Sequence, residues 1–182
     1  MMTYILCEGP SDKQILNSLL PTELLDTVVL VAAEGIDDAV SLARSLSVQR
    51  QAPVLVLADA DATSPRQIAE RQNNLDSIVG GVAVAPFKVV LAVPEIESIF
   101  FQDVDLLSQL TGQTFSPEVL TKAIYEPSQV LKQLMPEAEL KQDYSDLLEQ
   151  LSESDRASLR HSPPIQEVIQ FLQSVNKTAN AA

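Results

Sequence analysis

Three apolar runs in the first hundred residues lead into carboxylates. "YILC" is closed by Glu8, with Asp12 four residues later; "VLVLA" is closed by Asp59, with Asp61 two residues later; "FKVVLAVP" is followed by Glu95 and Glu97. Two carboxylates ~4 Å apart repel by about 4 kcal/mol at an effective dielectric of about 20. Three or four in one crevice must therefore take up protons or bind a cation. Ligands made only of oxygen suit a hard ion such as Mg²⁺ or Mn²⁺, and the lack of supporting histidines or thiolates argues against zinc. The candidate metal ligands are Glu8, Asp12, Asp59, Asp61, Glu95 and Glu97.

Each piece also has a plain explanation. In "EGPSDKQ", Gly9 permits a tight turn and Ser11 can cap a helix, with Gln14 as the other half of a capping box. Asp12 then sits favourably in the first turn. Asp59 and Asp61 run into Thr63, Ser64 and Pro65, which are turn and helix-start residues. If the strand persists through Asp61, both aspartates project to one side. Glu8 is harder to explain in this way, because it closes an apolar run with no stabilising reason to be there. Glu34, after the second run, is a weaker candidate.

The elements that must position these acids alternate. "TYILCEG", "TVVLVAAEG", "PVLVLAD" and "FKVVLAVP" read as strands, and "SDKQILNSLLP", "DDAVSLARSLSVQ" and "SPRQIAERQNNLDSIV" as helices between them. Val/Leu runs without polar alternation are covered on both faces, as in parallel sheets. The pattern predicts an α/β core over residues 1–102, with a mostly parallel sheet of about four strands flanked by helices. In such sheets ligands bind beyond the carboxyl ends of the strands, where the acids lie. After Pro94 the strands stop. Residues 103–176 read as a helical appendage packed on the core, broken at Pro117, Pro127, Pro136, Pro163 and Pro164, and residues 177–182 as a frayed tail.

Composition bounds the rest. The chain has 182 residues, 46% hydrophobic and 20% charged, with a net charge of −13. That is a globular composition, and its field disfavours a nonspecific nucleic-acid binder. Cys7 is the single cysteine and lies in an apolar run, so it reads as a buried inert thiol in a reducing compartment. No signal peptide or membrane span is legible, and a cytoplasmic location is expected.

Glu-Gly at the end of the first strand, Ser-Asp opening the next helix, and an apolar strand ending in D-x-D resemble the Toprim domain of topoisomerases, primases and OLD-family nucleases. "CEGPSDKQIL" is most similar to the OLD type, and "VPEIESIFF" resembles the stretch after the last core strand in small standalone members. The likeness spans about residues 3–102. It implies a Toprim/Rossmann-like fold and a Mg²⁺- or Mn²⁺-dependent enzyme acting on phosphodiesters, a nuclease of the OLD type. It implies that Glu8 is the acid/base or a ligand, that Asp59 and Asp61 are the D-x-D ligands, and that Asp12 and Glu97 or Glu95 are further acidic ligands. Phosphoryl transfer also favours a cationic side chain. Lys13, Arg66 and Lys88 are candidates, each equally readable as a solvated surface charge.

Departures from that pattern leave a second reading open. There is no P-loop, no topoisomerase tyrosine context at Tyr4, Tyr125 or Tyr144, and no primase zinc cysteines. His161, the single histidine, reads as structural or surface. The alternative is a non-catalytic or partner-dependent module working with a separate ATPase, with nucleic acid disfavoured by the acidic surface. "DADAT" also fits the phosphatase motif D-x-D-x-T, but that motif belongs on a first strand. A receiver domain needs a lysine after a fifth strand, and a dinucleotide site needs more glycines after the first.

Overall fold

The structure, a computed structural model, describes residues 2–135 and 144–180. Strand β1 (Thr3–Cys7) leads into α1 (Pro10–Leu19) and the short α2 (Thr22–Leu25). Then follow β2 (Val28–Ala32), α3 (Ile36–Gln49), β3 (Val54–Asp59), α4 (Pro65–Gly80) and β4 (Phe87–Ala92). A 3₁₀ helix (Ile96–Gln102) opens the helical half: α5 (Val104–Thr111), α6 (Pro117–Ala123), α7 (Pro127–Leu134), α8 (Ser145–Glu149), α9 (Glu153–Leu159) and α10 (Pro163–Asn180).

The sheet has four strands in the order β2-β1-β3-β4, and every neighbouring pair is parallel. The expected α/β architecture is therefore present, with β2 at an edge. The chain steps from β1 to one side and then returns to the other side of β1 as β3. This reversal leaves a crevice at the carboxyl ends of β1 and β3.

Strand alternation divides the core in two. Ile5, Cys7, Leu55, Leu57, Val90 and Ala92 pack against Ile15, Leu16 and Leu19 of α1 and against Leu107, Leu131, Leu147, Ile165, Val168 and Leu172 of the helical half. Leu6, Val54, Val56, Ala58 and Val89 pack on the other face, against Ala39, Val40 and Ala43 of α3 and Leu75 and Val79 of α4. Both faces are covered, which is why the strands lack polar alternation. The appendage shares one continuous apolar cluster with α1 and all four strands.

The breaks expected at Pro117, Pro127 and Pro163 are helix starts, each proline being the first residue of a helix. Pro136 lies outside the described residues. Helix α10 continues to Asn180, past residue 176 where the pattern predicts the tail to begin. Among the described residues no helix is long and apolar enough to cross a membrane.

The start of α1 differs from its sequence reading. Pro10 is its first residue and Gly9 its N-cap, so Ser11 is already inside the first turn. Asp12 supplies the return bond instead, its Oδ2 accepting from the Gly9 N–H at 2.9 Å. Gly9 itself is extended (φ −150), and a methyl group on its Cα would meet open space, so no tight turn depends on it. Gln14 is used elsewhere: its Oε1 accepts from the Tyr144 N–H at 3.0 Å.

One shared cluster predicts one unfolding unit. Leu172 on α10 is 1% exposed. Leu172→Ala should cost about 2–5 kcal/mol in denaturant unfolding, still as a single transition followed by both fluorescence and circular dichroism. Two separated transitions would contradict a shared core.

Candidate metal centre

Strands β1 and β3 are paired in parallel, with Cys7 opposite Leu57, so Glu8 and Asp59 leave the sheet at the same edge. They are tied together there. The Asp59 N–H donates to Glu8 Oε1 at 3.0 Å. The Ile96 N–H, from the segment after β4, donates to Asp59 Oδ1 at 2.9 Å. The first turn of α1 brings Asp12, which is 8% exposed, and the 3₁₀ helix brings Glu97, 5% exposed. The Tyr144 hydroxyl donates to Glu97 Oε1 at 2.8 Å. Four stretches distant in the chain, around residues 8–12, 59, 96–97 and 144, thus meet at one pocket.

Its electrostatics follow from burial and crowding. The Asp59 carboxyl is pushed up to about 9, first by burial and then by Asp12 and Glu97, against the Ile96 N–H that favours the charged form. Burial also leads the upward shifts of Glu97, Asp12 and Glu8. For Glu97 the neighbouring Asp12 and Glu95 add to it while the Tyr144 hydroxyl opposes it. For Glu8 the Asp59 N–H and Arg71 oppose it, and Asp61 and Asp12 add to it. At neutral pH this pocket must hold a proton or a cation.

The two aspartates of D-x-D part company. Strand β3 ends at Asp59, and Asp61 takes a left-handed backbone (φ 50), which aspartate tolerates. The turn is held by Ala60 N–H donating to the Ala92 carbonyl at 2.7 Å and Asp61 N–H donating to the Pro94 carbonyl at 3.0 Å. The strand pattern therefore does not extend to Asp61, and the shared orientation expected from it is lost. Asp59 bonds Ile96; Asp61 Oδ2 pairs with Arg71 at 2.9 Å. The same guanidinium nitrogen lies 3.6 Å from Glu8 Oε1.

Glu97, not Glu95, faces the pocket. Glu95 Oε2 accepts from the Ser128 N–H at 2.8 Å and so satisfies the first turn of α7. Glu34 is exposed beside the edge strand and its own N–H donates to Asp38. None of the three cations singled out from sequence forms an ion pair with these acids. Lys13 is exposed on α1. Arg66 pairs with Glu70 at 2.9 Å in solvent, and Lys88 with Glu167 of α10 at 2.7 Å. Arg71, which does reach the pocket, is legible in the sequence only as a helical position: it lies four residues before Leu75 and eight before Val79, on the stripe that faces the sheet. Tyr144 has no sequence signal, because its partner Glu97 is 47 residues away.

The donor chemistry, though not the present placement of the side chains, is of the kind that suits Mg²⁺ or Mn²⁺. Asp12, Asp59 and Glu97 offer hard oxygens, Asp59 Oδ2 has no hydrogen-bond partner among the described residues, and none of the three has a cationic partner there. Cys7 is fully buried with its thiol pushed up by burial, and His161 is exposed and bonded to the Ala157 carbonyl. Among the described residues no three His, Cys, Asp or Glu side chains are grouped so as to hold a metal ion, so an ion here would require these carboxylates to move.

A pH signature follows. Folded Asp59, near 9 against an ordinary 3.8, keeps a proton that the unfolded chain releases. Its contribution is fully present below about pH 4 and is lost as pH rises towards about 9. In chelator, the wild-type melting temperature should fall over that window, and Asp59→Asn should flatten the fall. Mn²⁺ should raise the wild-type melting temperature most at the alkaline end and leave Asp59→Asn nearly unmoved. A wild-type profile as flat as the variant's would remove the buried proton from Asp59.

No protein-family model matches the sequence, and no curated protein matches it significantly. Solved structures do match. Two are of the C-terminal region of the Xanthomonas campestris pv. campestris OLD protein. One has a TM-score of 0.57 at 14% identity, covering 99% of this chain and 98% of that one. The other has a TM-score of 0.58 at 15% identity, covering 98% and 97%. The C-terminal region of the Burkholderia pseudomallei OLD protein matches with a TM-score of 0.56 at 14% identity, covering 95% and 97%. Such low identity speaks to architecture alone. Over nearly its whole length, helical half included, the chain has the fold of the C-terminal region of OLD proteins.

Proposed function

We propose that the protein is a Mg²⁺- or Mn²⁺-dependent enzyme acting on phosphodiesters, a nuclease of the OLD type. The observation that carries this reading is the meeting of Glu8, Asp12, Asp59 and Glu97 at the carboxyl edge of the sheet, with more negative charge than the pocket's own cation offsets.

Asp12, Asp59 and Glu97 would hold the ion. When bound, it supplies Lewis acidity towards a phosphate oxygen and makes water more acidic. The remaining work falls to the chain. Asp59 is fixed through Oδ1 by the Ile96 N–H, which leaves Oδ2 for the ion. Tyr144 orients Glu97 by donating to one of its oxygens. Glu8 is half-buried, held by the Asp59 N–H and near Arg71, with its carboxyl raised above the usual range. A carboxyl so placed can exchange a proton with the attacking or leaving oxygen. Beside the pocket, Asp61, Thr63, Gln67, Glu95 and Tyr125 line an open cleft of about 310 Å³ through which substrate can approach. A separate, mostly apolar hollow between the 3₁₀ helix and α6 contains none of these acids.

A second reading rests on the charge. At −13 the molecule repels nucleic acid in solution. A non-catalytic or partner-dependent module, recruited by a separate ATPase, accommodates that repulsion. The buried free Cys7 accords with a reducing, cytoplasmic compartment in either case.

Cleavage of plasmid and single-stranded DNA in Mg²⁺ and Mn²⁺ separates the two. Glu8→Gln and Asp59→Asn should each lower kcat/KM by about 10²-fold or more. Unchanged cleavage in both variants would end the catalytic assignment. Inactivity of the metal-loaded wild type would favour the partner-dependent module.

A further inference from the structure

Three large apolar side chains come to the surface around one proline. Val93 is 41% exposed, Ile124 58% and Tyr125 61%. Val93 and Ile124 line a hollow of about 390 Å³ between the 3₁₀ helix and α6, together with Phe101, Val104 and Leu120. Tyr125 lines the cleft beside it, and Pro94 is a wall of both. Single exposed apolar residues are ordinary on a protein surface, whereas apolar side chains gathered around a concavity mark a place of binding.

The hollow is preformed. Leu120, Ala123 and Ile124 share one face of α6 by their spacing, Ile124 keeping helical backbone angles at the C-cap, and that face lines the hollow. The chain then leaves α6 in a turn held by the N–H groups of Ile124, Tyr125 and Glu126, which donate to the carbonyls of Thr121 and Lys122. The start of α7 is tied to the segment after β4, where the Ser128 N–H donates to Glu95 Oε2 at 2.8 Å. A fixed backbone thus holds Ile124 and Tyr125 at the surface.

Charge decides what can sit there. From Val93 to Glu126 the chain carries six acids, Glu95, Glu97, Asp103, Asp105, Glu118 and Glu126, against one base, Lys122. Asp105, Glu118 and Glu126 are exposed, and each stands within two residues of a side chain that lines the hollow. Lys122 is itself paired with Glu126 at 3.7 Å. With −13 on the whole chain, a second copy, a nucleic acid or an anionic membrane would meet its own sign at this face. A cationic partner meets the opposite sign, and its lysines and arginines can lie against the acids while an apolar side chain fills the hollow.

We infer that this hollow docks a basic, amphipathic segment of a partner protein, with an apolar side chain seated against Val93 and Ile124 and lysines or arginines against the exposed acids. None of Glu8, Asp12, Asp59 and Glu97 lines the hollow, so docking does not depend on a bound ion. Because Pro94 belongs to the cleft as well, a segment docked here stands at the cleft's edge.

Fluorescence anisotropy with the full chain tests this, using three labelled peptides of one length: an amphipathic leucine–lysine helix, the same peptide with serine for leucine, and the same with glutamate for lysine. Wild type should bind the first about tenfold or more tightly than either control. Ile124→Ser and Val93→Ser should each weaken that binding by about tenfold. Val84→Ser, which alters a valine 64% exposed on the loop before β4, at the other end of the sheet, should leave it unchanged. Circular dichroism checks the fold of each variant, and the comparison of peptides on wild type stands without them. Failure of the leucine–lysine peptide to bind wild type, equal binding of the serine peptide, unaltered binding by both folded variants, or equal weakening by Val84→Ser would overturn the inference. So would a wild-type dimer in sedimentation that Ile124→Ser dissolves, which gives the hollow to a second copy, or binding of single-stranded DNA that the same substitution abolishes.

Discussion

Unbalanced negative charge in a half-buried space is the constraint around which this structure is arranged. Asp12, Asp59 and Glu97 are held where water screens them poorly; Asp12 and Glu97 raise the cost of ionising Asp59, and Asp12 that of ionising Glu97. A fold does not keep such a cluster for its own stability, since buried like charges oppose folding. It can tolerate the cluster because backbone N–H groups and one phenol each take a share. What remains unbalanced favours a retained proton on Asp59.

The helical half is part of that arrangement. It closes the face of the sheet that carries α1, and its apolar residues run continuously into the core. It also supplies polar partners to the pocket's rim. Tyr144 donates to Glu97 while its own N–H is taken by Gln14 of α1, and Ser128 at the start of α7 occupies Glu95. These bonds assign the two glutamates of "PEIE" to different tasks. The segment after β4 would otherwise present two equivalent carboxylates.

Charge works on two scales. Over the whole chain the net charge is −13, a field that opposes the approach of other polyanions. Within the pocket the nearest fixed positive charge is Arg71, whose side chain is 28% exposed. An anion therefore meets favourable potential only close to Arg71. That division is consistent with an enzyme switched on by its metal and with a module delivered by a partner, and it disfavours free diffusion along DNA.

Much of this is legible in the sequence. Unbroken Val/Leu runs can be stable only when covered on both sides, so the parallel sheet and its flanking helices follow from pattern. Acids closing three of those runs, Glu8, Asp59 and the Glu95–Glu97 pair, have to lie at one edge, because parallel strands share a direction. Only the tertiary structure decides which acids share the pocket and which have other partners. Asp61 turns to Arg71 because the chain leaves the sheet in a left-handed step, and Glu95 turns to α7 because that helix start lies within reach. Arg71 escapes a reading of the sequence because one arginine on a helix resembles another until the helix is docked, and Tyr144 because 47 residues separate it from Glu97. Local pattern fixes direction and exposure; the pairing of distant side chains depends on how elements pack, which no short stretch of sequence contains.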